Sequence, residues 1–201
     1  MSLRAAEIAL LVDELASLAG SRVDAVRVHA ERLLTLDLRG PGGEVTLLLS
    51  AEPDLTRIHA ATWRPPAPAE PLPLQAILRR EIVGARLSAV ERPGGDRVVA
   101  LRLARASGPV TLLAELTGRN GNLFLLDDAG TIRAMGGRNL STRRALGPGA
   151  PWVAPQVHEP EPAPARLAPL EGAPFPLSAA VEALYRRLEE ERALAAARRR
   201  L

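Results

Sequence analysis

Hydrophobic residues near the start of the chain recur at the spacing of one face of a helix. The apolar positions are three or four residues apart: Ile8, Leu11, Leu15 and Leu18. This spacing predicts an amphipathic helix over residues 3–18, and Gly20 follows it as a C-cap. A second apolar stripe, at Leu74–Val83, predicts a short helix that ends near Gly84.

Short runs rich in Val and Leu, separated by glycine-containing turns, are typical of antiparallel strands. The first group predicts a meander of three strands: Arg22–His29, Leu33–Leu38 and Glu44–Leu49. The second group predicts five strands: Arg86–Glu91, Arg97–Leu103, Val110–Leu116, Asn122–Leu126 and Thr131–Met135. Two antiparallel groups, each preceded by a helix, predict an α+β domain built around a β-sandwich with flanking helices.

Proline-rich segments divide the chain. Arg64–Pro73 holds five prolines in ten residues, and Pro148–Pro176 holds nine in 29, so both predict extended backbone. The expected boundaries are a domain at 1–155, a proline-rich linker at 156–177 and a helix at 178–201. That helix has Ser178 as its N-cap, a narrow apolar stripe and alternating charges. We therefore expect the start of a coiled coil that does not pack on the domain.

Composition excludes several classes of function. The chain has no cysteine, and all 26 of its basic residues are arginine, which excludes disulfides, thiolate metal sites and Schiff-base lysines. The three histidines have no ligand-type spacing: His29, His59 and His158. No apolar run approaches the ~20 residues of a membrane helix, and the N-terminus lacks the features of a secretory signal. We expect a cytoplasmic protein that is not an enzyme, with no membrane contact, catalytic residue, cofactor, metal or small-molecule substrate.

The net charge of +3 is unevenly distributed. Residues 76–150 hold twelve arginines against six acids, residues 1–75 hold seven against ten, and residues 151–201 hold seven of each. The basic surplus indicates either a surface that attracts phosphate groups or an ordinary solvated arginine surface. The few aromatic residues, two Trp, two Phe and one Tyr, cannot form a base-stacking platform. Any bound RNA would therefore be recognised by its backbone and shape.

Two glycine-containing turns in the basic part of the chain carry candidate recognition groups. Pro93–Arg97 places Asp96 beside Arg97, where the carboxylate can orient the guanidinium for contact with a phosphate or a base. The same pattern is typical of a hairpin with an exposed ion pair. Glu115–Asn122 places a carboxylate, an arginine and two amides between two strands. This pattern indicates either a polar recognition loop or a bulged turn.

In this order, the two turns resemble those of the NFACT family of ribosome-associated quality-control factors, whose older name is fibronectin-binding proteins. The resemblance runs from about Leu3 to Pro155 and includes further segments: Glu14-Leu15, Leu49–Pro53, Arg57-Ile58-His59, Leu78-Arg79-Arg80 and Pro148–Pro155. It implies a fold similar to the N-terminal β-sandwich of formamidopyrimidine-DNA glycosylases.

The resemblance also implies a function. Full-length members bind the large ribosomal subunit that carries a stalled nascent chain and recruit alanyl-tRNA, so that alanine is added without mRNA. The residues implied to bind RNA are Glu7, Asp96, Arg97, Glu115, Gly118, Arg119 and Asn122. Asn120 and Gly121 stand where the family pattern has His and Ser. The family's long coiled coil and C-terminal domain are expected to be missing after Leu201, so we expect binding of tRNA and the large subunit without sustained tailing.

For each of three other functions, one feature of the sequence is informative. A generic cytoplasmic protein-interaction module acting through Ser178–Leu201 is the alternative to RNA binding. A DNA glycosylase would need an N-terminal proline amine as its nucleophile, whereas Ser2 and Leu3 follow Met1. An extracellular adhesin conflicts with the missing secretory signal.

Overall fold

The computed structural model describes residues 2–94, 97–141, 143–156 and 166–198. The helices in these ranges are α1 (Ala5–Leu15), α2 (Pro73–Ile82) and α3 (Pro176–Arg198). The strands of the first half are β1 (Arg22–Ala30), β2 (Leu33–Gly40), β3 (Gly43–Ser50) and β4 (Arg57–Ala61). The strands of the second half are β5 (Arg86–Glu91), β6 (Val98–Ala104), β7 (Val110–Glu115), β8 (Asn122–Leu126) and β9 (Ile132–Met135). Short 3₁₀ turns occupy Ala16–Leu18 and Gly118–Asn120.

The strands form one antiparallel sheet in the order β4-β3-β2-β1-β5-β6-β7-β8-β9. The predicted α+β class and the flanking helices are confirmed. The sequence predicts a β-sandwich, and the structure has one continuous sheet, whose halves join where Arg22 of β1 pairs with Arg86 of β5. Both halves nevertheless bury apolar side chains in one shared core, to which Leu36 and Leu47 contribute from one half and Leu101 from the other. The shared core holds the two halves against each other.

The strands of the two halves separate beyond their junction, and α2 lies along the freed edge of β1. The side chain of Gln75 takes the place of a strand partner there. Its Oε1 accepts a hydrogen bond from the Val28 N–H (2.6 Å), and its Nε2 donates to the Val26 carbonyl (2.7 Å). An amide side chain thus satisfies two backbone groups that the split in the sheet would leave unpaired.

The two halves meet again at the far ends of their strands. Glu31 and Arg32 form the turn between β1 and β2, and the segment after β9 lies against this turn. A Cβ atom on Gly136 would overlap the Glu31 carbonyl oxygen, and one on Gly137 would lie 2.6 Å from Arg32 Nε. The sheet is therefore folded over its junction. We use the name far end for the end of the sheet opposite the junction, where the turn between β1 and β2 meets the segment after β9.

The strand β4 was not predicted from the hydrophobic pattern. Its first four residues are buried, and two of them, Arg57 and His59, are polar. Polar side chains at buried positions conceal the alternation by which a strand is recognised.

The helix α3 packs on β4, so the expectation that the C-terminal helix stays off the domain is wrong. Val181 and Tyr185 are buried in the shared core. The Tyr185 hydroxyl donates to the Thr56 carbonyl (2.9 Å), and the Arg57 guanidinium lies 4.8 Å from the centre of its ring. The last turns of the helix are exposed, with Leu194 60% accessible.

The start of α3 also differs from the prediction. The helix begins at Pro176, and proline is a residue that the first helical position tolerates. Ser178 therefore lies inside the helix and is not its N-cap. The Glu14 carboxylate of α1 accepts hydrogen bonds from the Leu177 N–H (2.7 Å), the Ser178 N–H (3.0 Å) and the Ser178 hydroxyl (2.6 Å). A carboxylate at this position satisfies free N–H groups and is favoured by the helix dipole.

The expected domain boundaries at residues 155 and 178 stay a prediction. Residues 157–165 of the expected linker lie outside the described residues.

Candidate nucleic-acid interface

Glu115 begins the predicted recognition loop, and its buried carboxylate binds partners within the chain. Arg144 donates two hydrogen bonds to it, from Nη1 to Oε1 and from Nη2 to Oε2, each 2.7 Å long. Trp152 Nε1 donates a third to Oε1 (2.8 Å). The Arg144 guanidinium also donates to the Val153 carbonyl (2.9 Å). Glu115 therefore fastens two later segments of the chain to the end of β7.

Asn122 closes the same loop and is also buried. Its Oδ1 accepts from the N–H groups of Leu123 and Gly137, both at 2.9 Å, and its Nδ2 donates to the Gly137 carbonyl (2.7 Å). These bonds satisfy the buried amide and attach the segment after β9 to the start of β8. Asn122 thus supports the loop from inside.

The turn between Glu115 and Asn122 presents Arg119 and Asn120 to solvent. Gly118 has a φ of +75°, a conformation that residues with a Cβ rarely adopt. At Gly121, a Cβ would lie 2.7 Å from the Glu115 carbonyl oxygen. The turn is therefore tightly specified, with the arginine at its exposed tip.

Arg97 lies next to this loop. Its carbonyl accepts a hydrogen bond from the Leu116 N–H (2.7 Å), and its side chain is half-buried. Asp96 lies outside the described residues. The structure therefore brings Arg97 and the Glu115 loop together at the far end.

Glu7 is placed differently, on α1, with its carboxylate buried. It accepts hydrogen bonds from the Arg4 N–H (2.8 Å) and from the backbone N–H, Nε and Nη2 of Arg166, each 2.9 Å long. Burial alone would raise the pKa of this carboxyl, but the hydrogen bonds and the charge of Arg166 lower it to about 2. Glu7 therefore stays ionised and attaches Arg166 to α1.

Arg32 is a residue of the far end that the sequence did not single out. Its Nη1 donates to the Arg119 carbonyl (3.2 Å), and its Nη2 donates to the Arg138 carbonyl (3.3 Å). One guanidinium thus joins the exposed turn to the segment after β9. An arginine in a hairpin turn has no distinctive sequence pattern, so only the fold identifies it.

Metal binding and membrane insertion find no support among the described residues. Among the described residues, no group of three or more His, Asp and Glu side chains is placed to hold a metal ion. None of the helices in the described ranges is long and apolar enough to cross a membrane.

A groove of about 610 Å³ lies between β2, β3 and the start of α3. Its Asp37 is paired with Arg27 and with Arg64 (2.7 Å), and these partners lower the pKa of the carboxyl although burial opposes them.

Comparison with known proteins identifies the family. A family model described as NFACT N-terminal and middle domains matches residues 6–173. The chain belongs to the NFACT family. This confirms the resemblance that the Glu115 loop and the Arg97 turn indicated.

Two similar relatives of this NFACT chain are each described as an Rqc2 homolog, RqcH. The protein from Streptococcus pneumoniae is 29% identical over 160 residues, which cover 74% of this chain and 29% of the relative. The protein from Bacillus subtilis is 27% identical over 161 residues, which cover 76% of this chain and 27% of the relative. The chain therefore spans less than a third of the length of these relatives.

Solved structures show the same fold. The N-terminal part of the fibronectin/fibrinogen-binding protein from Streptococcus suis matches with a TM-score of 0.70 and 23% identity, covering 78% of this chain and 62% of that one. The N-terminal domain of the fibronectin-binding protein PavA from Streptococcus pneumoniae matches with a TM-score of 0.69 and 24% identity, covering 96% and 82%. At these identities the likeness shows the fold alone.

Proposed function

We propose that this NFACT chain is the tRNA- and large-ribosomal-subunit-binding part of a ribosome-associated quality-control factor. In that role it supports the mRNA-independent alanine tailing of stalled nascent chains, with alanyl-tRNA as its tRNA partner. Membership of the family and the shared name of the relatives, Rqc2 homolog RqcH, support the proposal. The proposed role is binding in the cytoplasm, without catalysis, a cofactor or a small-molecule substrate.

The observation that carries the proposal is the exposed Arg119 at the tip of a tightly specified turn. Buried hydrogen bonds of Glu115 and Asn122 fix the backbone on both sides of it. Binding costs less conformational entropy when the recognition loop is already ordered. A guanidinium presents a planar set of donors that fits phosphate oxygens. An exposed arginine on an ordered turn is therefore suited to the backbone of a folded RNA.

We propose different roles for the residues that the family resemblance implicates. Arg97 and Arg119 contact RNA, and Asp96 orients Arg97. The site is shaped from within the chain by Glu115, Gly118 and Asn122, whereas Glu7 attaches Arg166 to α1. The implied likeness to the N-terminal domain of formamidopyrimidine-DNA glycosylases stays a prediction.

The proposal is tested with the variant Asp96→Ala/Arg97→Ala. Binding of tRNA is measured by filter retention, and binding of purified large ribosomal subunits by co-sedimentation. We expect tRNA affinity to fall, because the variant removes the guanidinium that is proposed to contact RNA, and the Tm of the variant is measured to show that the fold is kept. A matched control is Asp24→Ala/Arg39→Ala, which removes an exposed pair (2.6 Å) near the junction of the sheet halves. Equal tRNA affinity in both variants and the unaltered chain would contradict the proposal.

The second candidate function is a protein-interaction module acting through the end of α3. The observation that favours it is the exposure of the last helical turns, including Leu194. Deleting residues 193–201 separates the two candidates, because it should abolish capture of protein partners under this reading and leave tRNA binding intact under the first.

A further inference from the structure

We propose that Arg119, Arg138 and Arg143 form one phosphate-binding surface for the RNA backbone at the far end of the sheet. We call these three residues the phosphate surface. The inference rests on the proposed function and extends it, because Arg138 and Arg143 belong to the segment after β9 and not to either predicted recognition turn.

The first two arginines are brought together by Arg32. Its guanidinium donates to the backbone carbonyls of Arg119 (3.2 Å) and Arg138 (3.3 Å), so the two loops lie on either side of a single side chain. Asn122 adds a second connection through its three hydrogen bonds, two of which reach Gly137. The relative position of the two loops is therefore fixed by contacts within the chain.

The third arginine is placed by its neighbour Arg144. The Arg144 guanidinium binds the buried Glu115 carboxylate through two hydrogen bonds of 2.7 Å. The Arg144 carbonyl accepts from Asn139 Nδ2 (2.8 Å), which closes the loop between them. Arg143 is exposed beside this anchored residue. Both ends of the loop that carries Arg138 and Arg143 are thus attached to the Glu115 turn.

The charges of the phosphate surface are not neutralised within the part of the chain that the structure describes. Arg119, Arg138 and Arg143 are exposed, and none of them forms an ion pair with a described acidic side chain. Some exposed arginines elsewhere do form such pairs, as Arg39 does with Asp24 (2.6 Å) and Glu44 (2.9 Å). Three cations on adjacent loops repel one another, and an external anion relieves that repulsion.

The chemistry of these loops favours RNA over a protein partner. Hot spots of protein interfaces are enriched in buried aromatic anchors, and residues 118–121 and 136–144 contain no aromatic residue. A polyanionic backbone supplies several phosphates at short intervals, and each arginine that binds one releases condensed counterions. Several exposed guanidinium groups without an aromatic anchor therefore suit phosphates better than an acidic protein surface.

The test uses Arg138→Ala, Arg143→Ala and the double variant, with a transcribed alanine tRNA as the probe. Affinity is measured over a series of salt concentrations. We expect each substitution to weaken binding and to reduce the slope of log affinity against log salt by about one. The matched control is Arg79→Ala, which removes an exposed arginine from α2. The control should change neither quantity.

The outcomes separate this inference from the proposed function. If the unaltered chain binds tRNA and the double variant has the same affinity and salt slope, the phosphate surface is wrong while the proposed function stands. If the unaltered chain binds no tRNA, both are wrong. Poly-L-glutamate serves as a second probe. If it binds more tightly than tRNA with the same dependence on Arg138 and Arg143, the partner is an acidic protein and the assignment to RNA is overturned.

Discussion

The contact between α3 and β4 and the phosphate surface use arginine in opposite ways. On β4, Arg57 is 1% exposed and donates to Glu189 of α3 (2.5 Å). Glu182 of the same helix accepts from the backbone N–H groups of Thr62 and Trp63, both at 2.9 Å. At the far end, the arginines of the phosphate surface are exposed without an acidic partner among the described residues. The same residue type is therefore buried and paired at one place in the fold and exposed to solvent at another.

The largest expected effect on thermal stability comes from removing α3. Deleting residues 176–201 takes Val181 and Tyr185 out of the shared core and leaves Arg57 without its carboxylate. We expect the Tm to fall by on the order of 10 °C or more, because loss of a large core side chain alone costs about 3–5 kcal/mol. The control deletes residues 193–201 only, where the described side chains are exposed, and should keep the Tm. Equal Tm values for both truncations would show that α3 does not complete the core.

A second prediction compares a buried charge of the far end with an exposed one. Glu115→Ala leaves Arg144, whose side chain is 13% exposed, without its partner, and should lower the free energy of unfolding by about 3–5 kcal/mol. Arg119→Ala should change it by no more than about 0.5 kcal/mol, because its guanidinium is exposed and unpaired among the described residues. Urea unfolding measures both. Similar losses in the two variants would contradict the division into supporting and contacting residues.

A smaller effect is expected from acid. The pKa of Glu7 is lowered to about 2, below its ordinary value of 4.5. The ion pair with Arg166 therefore contributes stability above pH 4.5, and this contribution is lost as the pH falls from 4.5 towards 2. Glu7→Gln lacks the titrating group, so its free energy of unfolding should depend less on pH over this range. If the free energy of unfolding changes with pH in the same way in both proteins, the Glu7–Arg166 ion pair does not cause the loss of stability in acid.

The smallest predicted effect concerns His59. Burial, together with the nearby charge of Arg57, lowers the pKa of this imidazole to about 3, so it is neutral in the folded chain. Below its ordinary pKa of 6.5 the unfolded chain binds a proton that the folded chain does not, and stability declines as the pH falls towards 3. Between pH 7 and pH 5.5 the loss should be about 1 kcal/mol. His59→Gln should remove it, which chemical unfolding at both pH values would detect.

Much of the fold could be predicted from alternating apolar residues and turn signals. The predicted strand Asn122–Leu126 coincides with β8, and the predicted Arg86–Glu91 coincides with β5. The docking of α3 could not be predicted, because its contacts with β4 join polar groups more than 100 positions apart, such as Arg57 and Glu189. A local apolar pattern carries no information about such pairs.

The candidate site was predictable only in its local part. The Glu115 loop and the Arg97 turn are continuous motifs, and the structure brings Arg97 and the loop together. Arg32 and Arg138 were not predicted, because their contact spans 106 positions and exists only after the sheet folds over its junction. Their role depends on tertiary placement and leaves no signature in spacing.

Ultraviolet cross-linking of the chain to alanine tRNA shows where the RNA lies on the chain. The cross-linked peptides are identified by mass spectrometry. We predict cross-links within residues 118–121 and 136–144, at the far end of the sheet. Cross-links confined to the arginines around the junction, Arg22, Arg39 and Arg86, would contradict the account.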